Sequence, residues 1–172
     1  LDGARLANAL VHTGASPAEM TWKAGVDVVT LGLTKTGAIG CEIIVLFGEM
    51  TDRFEMLKAR AKRSGHMPPK MRFLAAQGEA MLTDGLWLTL AGNANQMAKQ
   101  LANTLCAYDG VRLAYPTDGN EVFAQLPEAL EAAVTRAGVK CYPWPGGSYR
   151  FVTNWATPQS DLDALRALLA EA

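Results

Sequence analysis

"VDVVTLGLTKTGAIG", residues 26–40, decides how this chain is read. Its first half is a near-continuous run of valine, leucine and threonine, the pattern of a strand covered on both faces. The run ends in a loop of small residues, where Gly37 and Gly40 let the backbone turn and let a ligand approach closely. Between run and loop stands Lys35. Burying an ammonium without a partner is costly and favours the neutral amine. That amine is the nucleophile needed for Schiff-base chemistry with a carbonyl. A solvated lysine in a plain hairpin turn is the competing reading, and the lysine alone does not exclude it.

Working outward, "CEIIVLF" (41–47) reads as a second strand and "SPAEMTWKAG" (16–25) as a helix with full end signals. Ser16 is placed as N-cap and Pro17 as N1. Glu19 at N3 closes a capping box, and Gly25 stops the helix. Before it, "DGARLANAL" (2–10) reads as a strand end running into a short helix. The order is therefore Asp2 at one strand end, then helix and strand, then Lys35 at the next strand end. A carboxylate beside a pyridine nitrogen keeps that nitrogen protonated and the ring an electron sink. Together the two residues form a constellation suited to pyridoxal phosphate, although "DGAR" by itself reads equally as a surface ion pair.

Downstream, Thr51 is expected to cap a charged helix ending near Gly65. Lys70–Leu82 is a further helix, and a long one covers Leu86 to Tyr108, with Leu86, Leu90, Ala94, Met97, Leu101 and Leu105 along one face. From Val111 the pattern changes to strand ("VRLAY"), strand ("NEVFAQL"), helix (Pro127–Ala137), two strands ("VKCY", "YRFVTN") and a last helix opened by Thr157-Pro158. That β-β-α-β-β-α order predicts a small α+β layer sandwich. The fold class expected is α/β. Residues 1–47 form part of a mostly parallel, helix-flanked large domain, 48–108 a helical linker and interface segment, and 109–172 a small α+β carboxy-terminal domain.

The totals narrow the function classes. With 16 Lys and Arg against 17 Asp and Glu, the formal charge is −1, which leaves no positive excess to grip nucleic acid. Apolar runs are broken by charge too often to cross a bilayer as a helix. The three cysteines, Cys41, Cys106 and Cys141, match no zinc or redox spacing and read as reduced, buried thiols. Two distant histidines make a histidine metal site improbable. The chain opens on Leu1-Asp2 with residues that read as fold interior, so a preceding amino-terminal portion is expected.

"LDGARLANALVHTGASPAEMTWKAGVDVVTLGLTKTGAIGCEIIVLF" resembles the aspartate-to-lysine segment of low-specificity L-threonine aldolases, within the fold-type I pyridoxal-phosphate enzymes. The likeness continues through "KMRFLAAQGEAMLTDGLWL", "RLAYPTDGNEVFAQLP" and "YRFVTNWAT", and corresponds to about the second half of a family member. "HMPPKMRF" departs from the pattern, with Pro69 where a serine is expected.

The resemblance implies that Lys35 carries the Schiff-base link to pyridoxal 5'-phosphate and that Asp2 pairs with the pyridine nitrogen. It implies that Arg5 holds the ring oxygen or the substrate carboxylate, and that Arg150 clamps the amino-acid carboxylate. Arg72 is implied near the cofactor phosphate of a neighbouring subunit, and Thr34 as a hydroxyl donor to the phosphate. His66 reads as a satisfied structural histidine, and no metal ligand is assigned. The implied activity is retro-aldol cleavage of β-hydroxy-α-amino acids by a cytoplasmic homo-oligomer, a dimer or tetramer. The family's phosphate-binding loop and ring-stacking histidine belong to the region before Leu1. Two rival readings stay open: another fold-type I lyase (β-elimination or desulfuration), and an inactive fragment that folds and self-associates.

Overall fold

The computed structural model describes residues 1–171 and divides into two compact units, Leu1–Leu90 and Ala91–Ala172. In the first, strand β1 (Asp2–Gly3) leads into helix α1 (Leu6–Thr13), which Gly14 ends in the left-handed conformation. Helix α2 (Pro17–Met20) begins with the anticipated capping box. Ser16 Oγ accepts from the Glu19 N–H, and the Ser16 N–H donates to Glu19 Oε2 at 2.8 Å. The helix is shorter than its signals promised. The backbone breaks at Thr21, whose hydroxyl turns back to the Pro17 carbonyl, and a single 3-10 turn, Trp22–Ala24, completes the passage to Gly25.

Strand β2 (Val28–Gly32) pairs in parallel with β1, Asp2 opposite Thr30 and Gly3 opposite Leu31. Strand β3 (Glu42–Leu46) then pairs antiparallel with β2, so the three-stranded sheet has order β1-β2-β3 and only its first pair is parallel. Against the expectation of mostly parallel strands covered on both faces, β3 runs antiparallel and its Ile44 is 61% exposed. An apolar run does not encode strand direction, and the short loop after β2 allows a hairpin. A 3-10 stretch (Gly48–Arg53) precedes α3 (Phe54–Arg63). Thr51 lies inside that stretch and donates to the Gly48 carbonyl, so it is not the cap expected of it. Helix α4 (Arg72–Leu82) follows.

Helix α5 (Leu86–Cys106) begins in the first unit and supplies one wall of the second. Its predicted stripe is buried at Ala94, Met97, Leu101 and Leu105, whereas Leu86 is exposed. The β-β-α-β-β-α order holds. Strands β4 (Arg112–Leu113) and β5 (Glu121–Gln125) precede α6 (Glu128–Arg136), and β6 (Tyr142–Trp144) and β7 (Ser148–Val152) precede α7 (Gln159–Glu171). The sheet is antiparallel, in order β4-β5-β7-β6. Val122, Ala124 and Phe151 on one face meet α5, Leu130 and Val134 of α6, and Leu162 and Leu165 of α7. The opposite face carries Phe123, Arg150, Tyr142 and Trp144, by the cross-strand pairs Phe123–Arg150, Tyr142–Arg150 and Trp144–Ser148.

Candidate active site

The parallel pairing of β1 and β2 sends both chains out of the sheet at the same edge, the carboxyl end, where open α/β sheets place ligands. Out of β1 comes Ala4-Arg5, and out of β2 comes Leu33 followed by the one-turn helix Thr34–Thr36. Two glycines bring the strands unusually close. A Cβ at Gly3 would lie 2.6 Å from the Thr30 carbonyl oxygen. At Gly32 it would lie 2.9 Å from the Ala4 Cα, so the "DGAR" and "LTKT" segments run side by side.

Lys35 is carried on a turn anchored at both ends. Leu33 is fully buried, and Thr36, 1% exposed, donates its hydroxyl to the Leu33 carbonyl at 3.0 Å. The backbone closes the same turn through the Thr36 and Ala38 N–H groups, both donating to Leu33. Held this way, Lys35 itself is exposed, not enclosed as the strand reading had pictured. The strand stops at Gly32, three residues before it.

Asp2 is also exposed, and its Oδ1 accepts the Ala4 N–H at 3.0 Å, which fixes the carboxylate at the mouth of α1. Arg5 is half-buried at the start of that helix. The Thr34 hydroxyl donates to Glu42 Oε1 at 2.8 Å across the β2–β3 hairpin. Glu42 therefore belongs to the site's periphery and went unread in the sequence. Its signal was a carboxylate opening an otherwise apolar strand.

Helix α4 packs against this edge. The space around Gly78 is filled by Ile43, Cys41 and Leu33, Cys41 donates its S–H to the Leu74 carbonyl, and Gln77 Oε1 accepts the Ile39 N–H at 2.7 Å. Arg72 opens that helix, exposed, with its guanidinium 4.6 Å from the Phe73 ring centre. His66 is exposed as well. Cys106 is likewise exposed, whereas Cys41 is buried. Among the described residues no cluster of three or more His, Cys, Asp or Glu could hold a metal, and no helix is long and apolar enough to cross a membrane.

Arg150 lies in the second unit, on β7. Its Nε donates to Glu121 Oε1 at 2.7 Å and its Nη2 donates to the same oxygen. The guanidinium also lies 5.5 Å from the Trp144 ring centre.

The sheet edge thus holds an acid, a lysine on an anchored turn and an arginine at the head of α1. Residues 1–129 match the family model described as beta-eliminating lyase, and the chain belongs to that family. It is 41% identical over 169 residues to the low-specificity L-threonine aldolase of Pseudomonas aeruginosa, covering 98% of this chain and 47% of that protein. It is 38% identical to the protein of the same name from a Pseudomonas species, covering 97% and 48%. The structure superposes on the threonine aldolase of Leishmania major with a TM-score of 0.85 at 28% identity, covering 99% of this chain and 50% of that one. The chain thus spans about half the length of the curated relatives it matches.

Proposed function

We propose that this chain carries the lysine-bearing part of a pyridoxal-phosphate-dependent threonine aldolase. It would cleave L-threonine, L-allo-threonine and other β-hydroxy-α-amino acids to glycine and an aldehyde. One observation carries the reading: the short strand that bears Asp2 lies parallel beside the strand that leads to the Lys35 turn, with Gly32 packed directly on Ala4. The fit to pyridoxal phosphate rests on that packing. A side chain at position 32 would press on the Ala4 backbone and part the acid's segment from the lysine's segment, and glycine lets the two run in contact.

When bound, the cofactor supplies an electron sink for the pair released at the substrate's α-carbon. The residues of this chain divide the remaining work. Lys35 provides the amine that attaches the cofactor covalently, on a turn that its buried neighbours hold rigid. Asp2 spends Oδ1 on the Ala4 N–H and keeps Oδ2 to hold the ring nitrogen's proton. Arg5, half-buried beside it, supplies a fixed positive charge for the ring oxygen or a carboxylate. Arg72, toward the cofactor of a neighbouring subunit, and Thr34 are the phosphate partners. The first is an exposed cation on α4 resting against the Phe73 ring, and the second is tied to Glu42 and must exchange that bond to serve. Arg150 receives the substrate carboxylate, since a planar guanidinium meets a carboxylate with two hydrogen bonds. We assign the protein to the cytoplasm as a homo-oligomer, a dimer or tetramer. The exposed apolar side chains of the first unit (Phe54 at 56% and Phe73 at 58%) support association.

The experiment is a product assay on the full-length protein with pyridoxal phosphate and L-threonine. Equal amounts of glycine and acetaldehyde are expected. Asp2→Ala should lose most of the turnover, and full turnover by that variant overturns the role given to the acid. Release of ammonia and a keto acid instead would assign the protein to a different lyase chemistry.

A further inference from the structure

On the sheet face opposite the core of the second unit, Arg150 is a charged residue in apolar surroundings. Phe123 is its cross-strand partner on β5 and Tyr142 its partner on β6. Trp144 packs against both Arg150 and Phe123, and Tyr115 meets Phe123 edge-on at 5.5 Å. Only 24% of the Arg150 side chain is exposed. Covering a guanidinium among aromatic rings with a single acid does little for stability, because desolvation offsets most of the ionic attraction.

The hydrogen bonds show what the arrangement achieves. Nε and Nη2 lie along one edge of the guanidinium, and both point at Glu121 Oε1. That leaves the other edge, formed by Nη1 and the second Nη2 hydrogen. Nη1 has no hydrogen bond to any described residue. One edge is pinned, one plane is covered by Trp144, and one two-pronged edge is left for a ligand.

The frame behind this is rigid. Glu121 follows Asn120, which is 5% exposed and donates to the Thr153 carbonyl at 2.7 Å. Thr153 in turn donates its hydroxyl to the Ala94 carbonyl at 2.7 Å, which ties the ends of β5 and β7 to α5.

We infer that Glu121 and Trp144 are positioning residues that set the free edge of Arg150 for the α-carboxylate of an amino-acid substrate. The inference rests on the proposed aldolase reading and extends it. Specificity for a free carboxylate would be set two residues along a strand from the clamp's own pairing partner, by a carboxylate that never touches the substrate. Removing the charge at 121 frees the guanidinium to rotate, so a two-pronged contact is replaced by a wandering one.

The test uses the full-length holoenzyme with L-threonine and with L-threonine amide, which lacks the carboxylate. Glu121→Gln is expected to raise KM for threonine by about tenfold, the equivalent of one lost charge-assisted contact, with kcat nearly unchanged. KM for the amide should not move. Trp144→Ala should show the same selective rise, and Trp144→Phe, which keeps a ring over the guanidinium, should recover most of it. A merely structural role would weaken both substrates together, and that result overturns the inference, as does a Glu121→Gln enzyme with unchanged threonine KM. Arg150→Lys separates the two levels. If it leaves the threonine KM intact, the clamp itself is wrong. If it raises that KM while the variants at 121 and 144 do nothing, only the positioning role fails. A readout that needs no turnover is the Arg150 side-chain NMR signal on titration with glycine, which should shift in the parent protein and respond less in Glu121→Gln.

Discussion

Gly32 and Ala4 stand against each other at the carboxyl edge of the parallel strand pair. A Cβ on Gly32 would come within 2.9 Å of the Ala4 Cα and 2.8 Å of Glu42 Oε2. The Glu42 side chain can swing away, but the Ala4 backbone can move only by parting the strands. Gly32→Ala is therefore expected to destabilise the protein by about 1–3 kcal/mol, as overpacking does. Cofactor affinity should fall further than stability, because Asp2 and the Lys35 turn are pushed apart. Thermal unfolding and pyridoxal-phosphate titration of the same variant measure the two effects.

The capping box at α2 gives a pH prediction. Hydrogen bonds from Ser16 hold the Glu19 carboxyl below its ordinary value. A carboxylate with a lowered folded-state pKa stabilises the fold above its unfolded pKa, and that contribution disappears as pH falls through the folded value. The difference in Tm between parent and Glu19→Gln should be present at neutral pH and vanish in acid. Ser16→Ala should lower Tm by a few degrees at neutral pH.

Cysteine reactivity should follow burial. Burial, and secondarily Glu42, pushes the Cys41 thiol up, and burial followed by Glu131 does the same for Cys141. Cys106 is exposed. Alkylation of the native protein should label Cys106 first and Cys41 last, as mass mapping of the labelled peptides would show.

The core of the second unit is closed by Leu105 and Val122, both fully buried. Leu105→Ala should cost about 2–5 kcal/mol through lost burial and the cavity left behind, read by denaturant unfolding.

Local signals carried much of the fold. Ser16, Pro17 and Glu19 announced their roles because capping is decided within four residues, whereas Gly25 closes a separate 3-10 turn and not the helix. The β-β-α-β-β-α order was legible because turn residues punctuate it. What escaped depends on pairing. The direction of β3 is set by the hairpin rather than by "CEIIVLF", and Thr51 bonds within its own 3-10 stretch. The exposure of Lys35 follows from Leu33 and Thr36 being turned inward, which a strand pattern does not encode. Glu42 and Glu121 were unread as neighbours of Thr34 and Arg150, since each meets its partner only through sheet register.

The most direct measurement is borohydride reduction of the full-length protein with pyridoxal phosphate, followed by peptide mapping. The added mass should fall on the peptide containing Lys35 and be absent from Lys35→Ala. A label on any other lysine, or an equal label in the variant, contradicts the central claim.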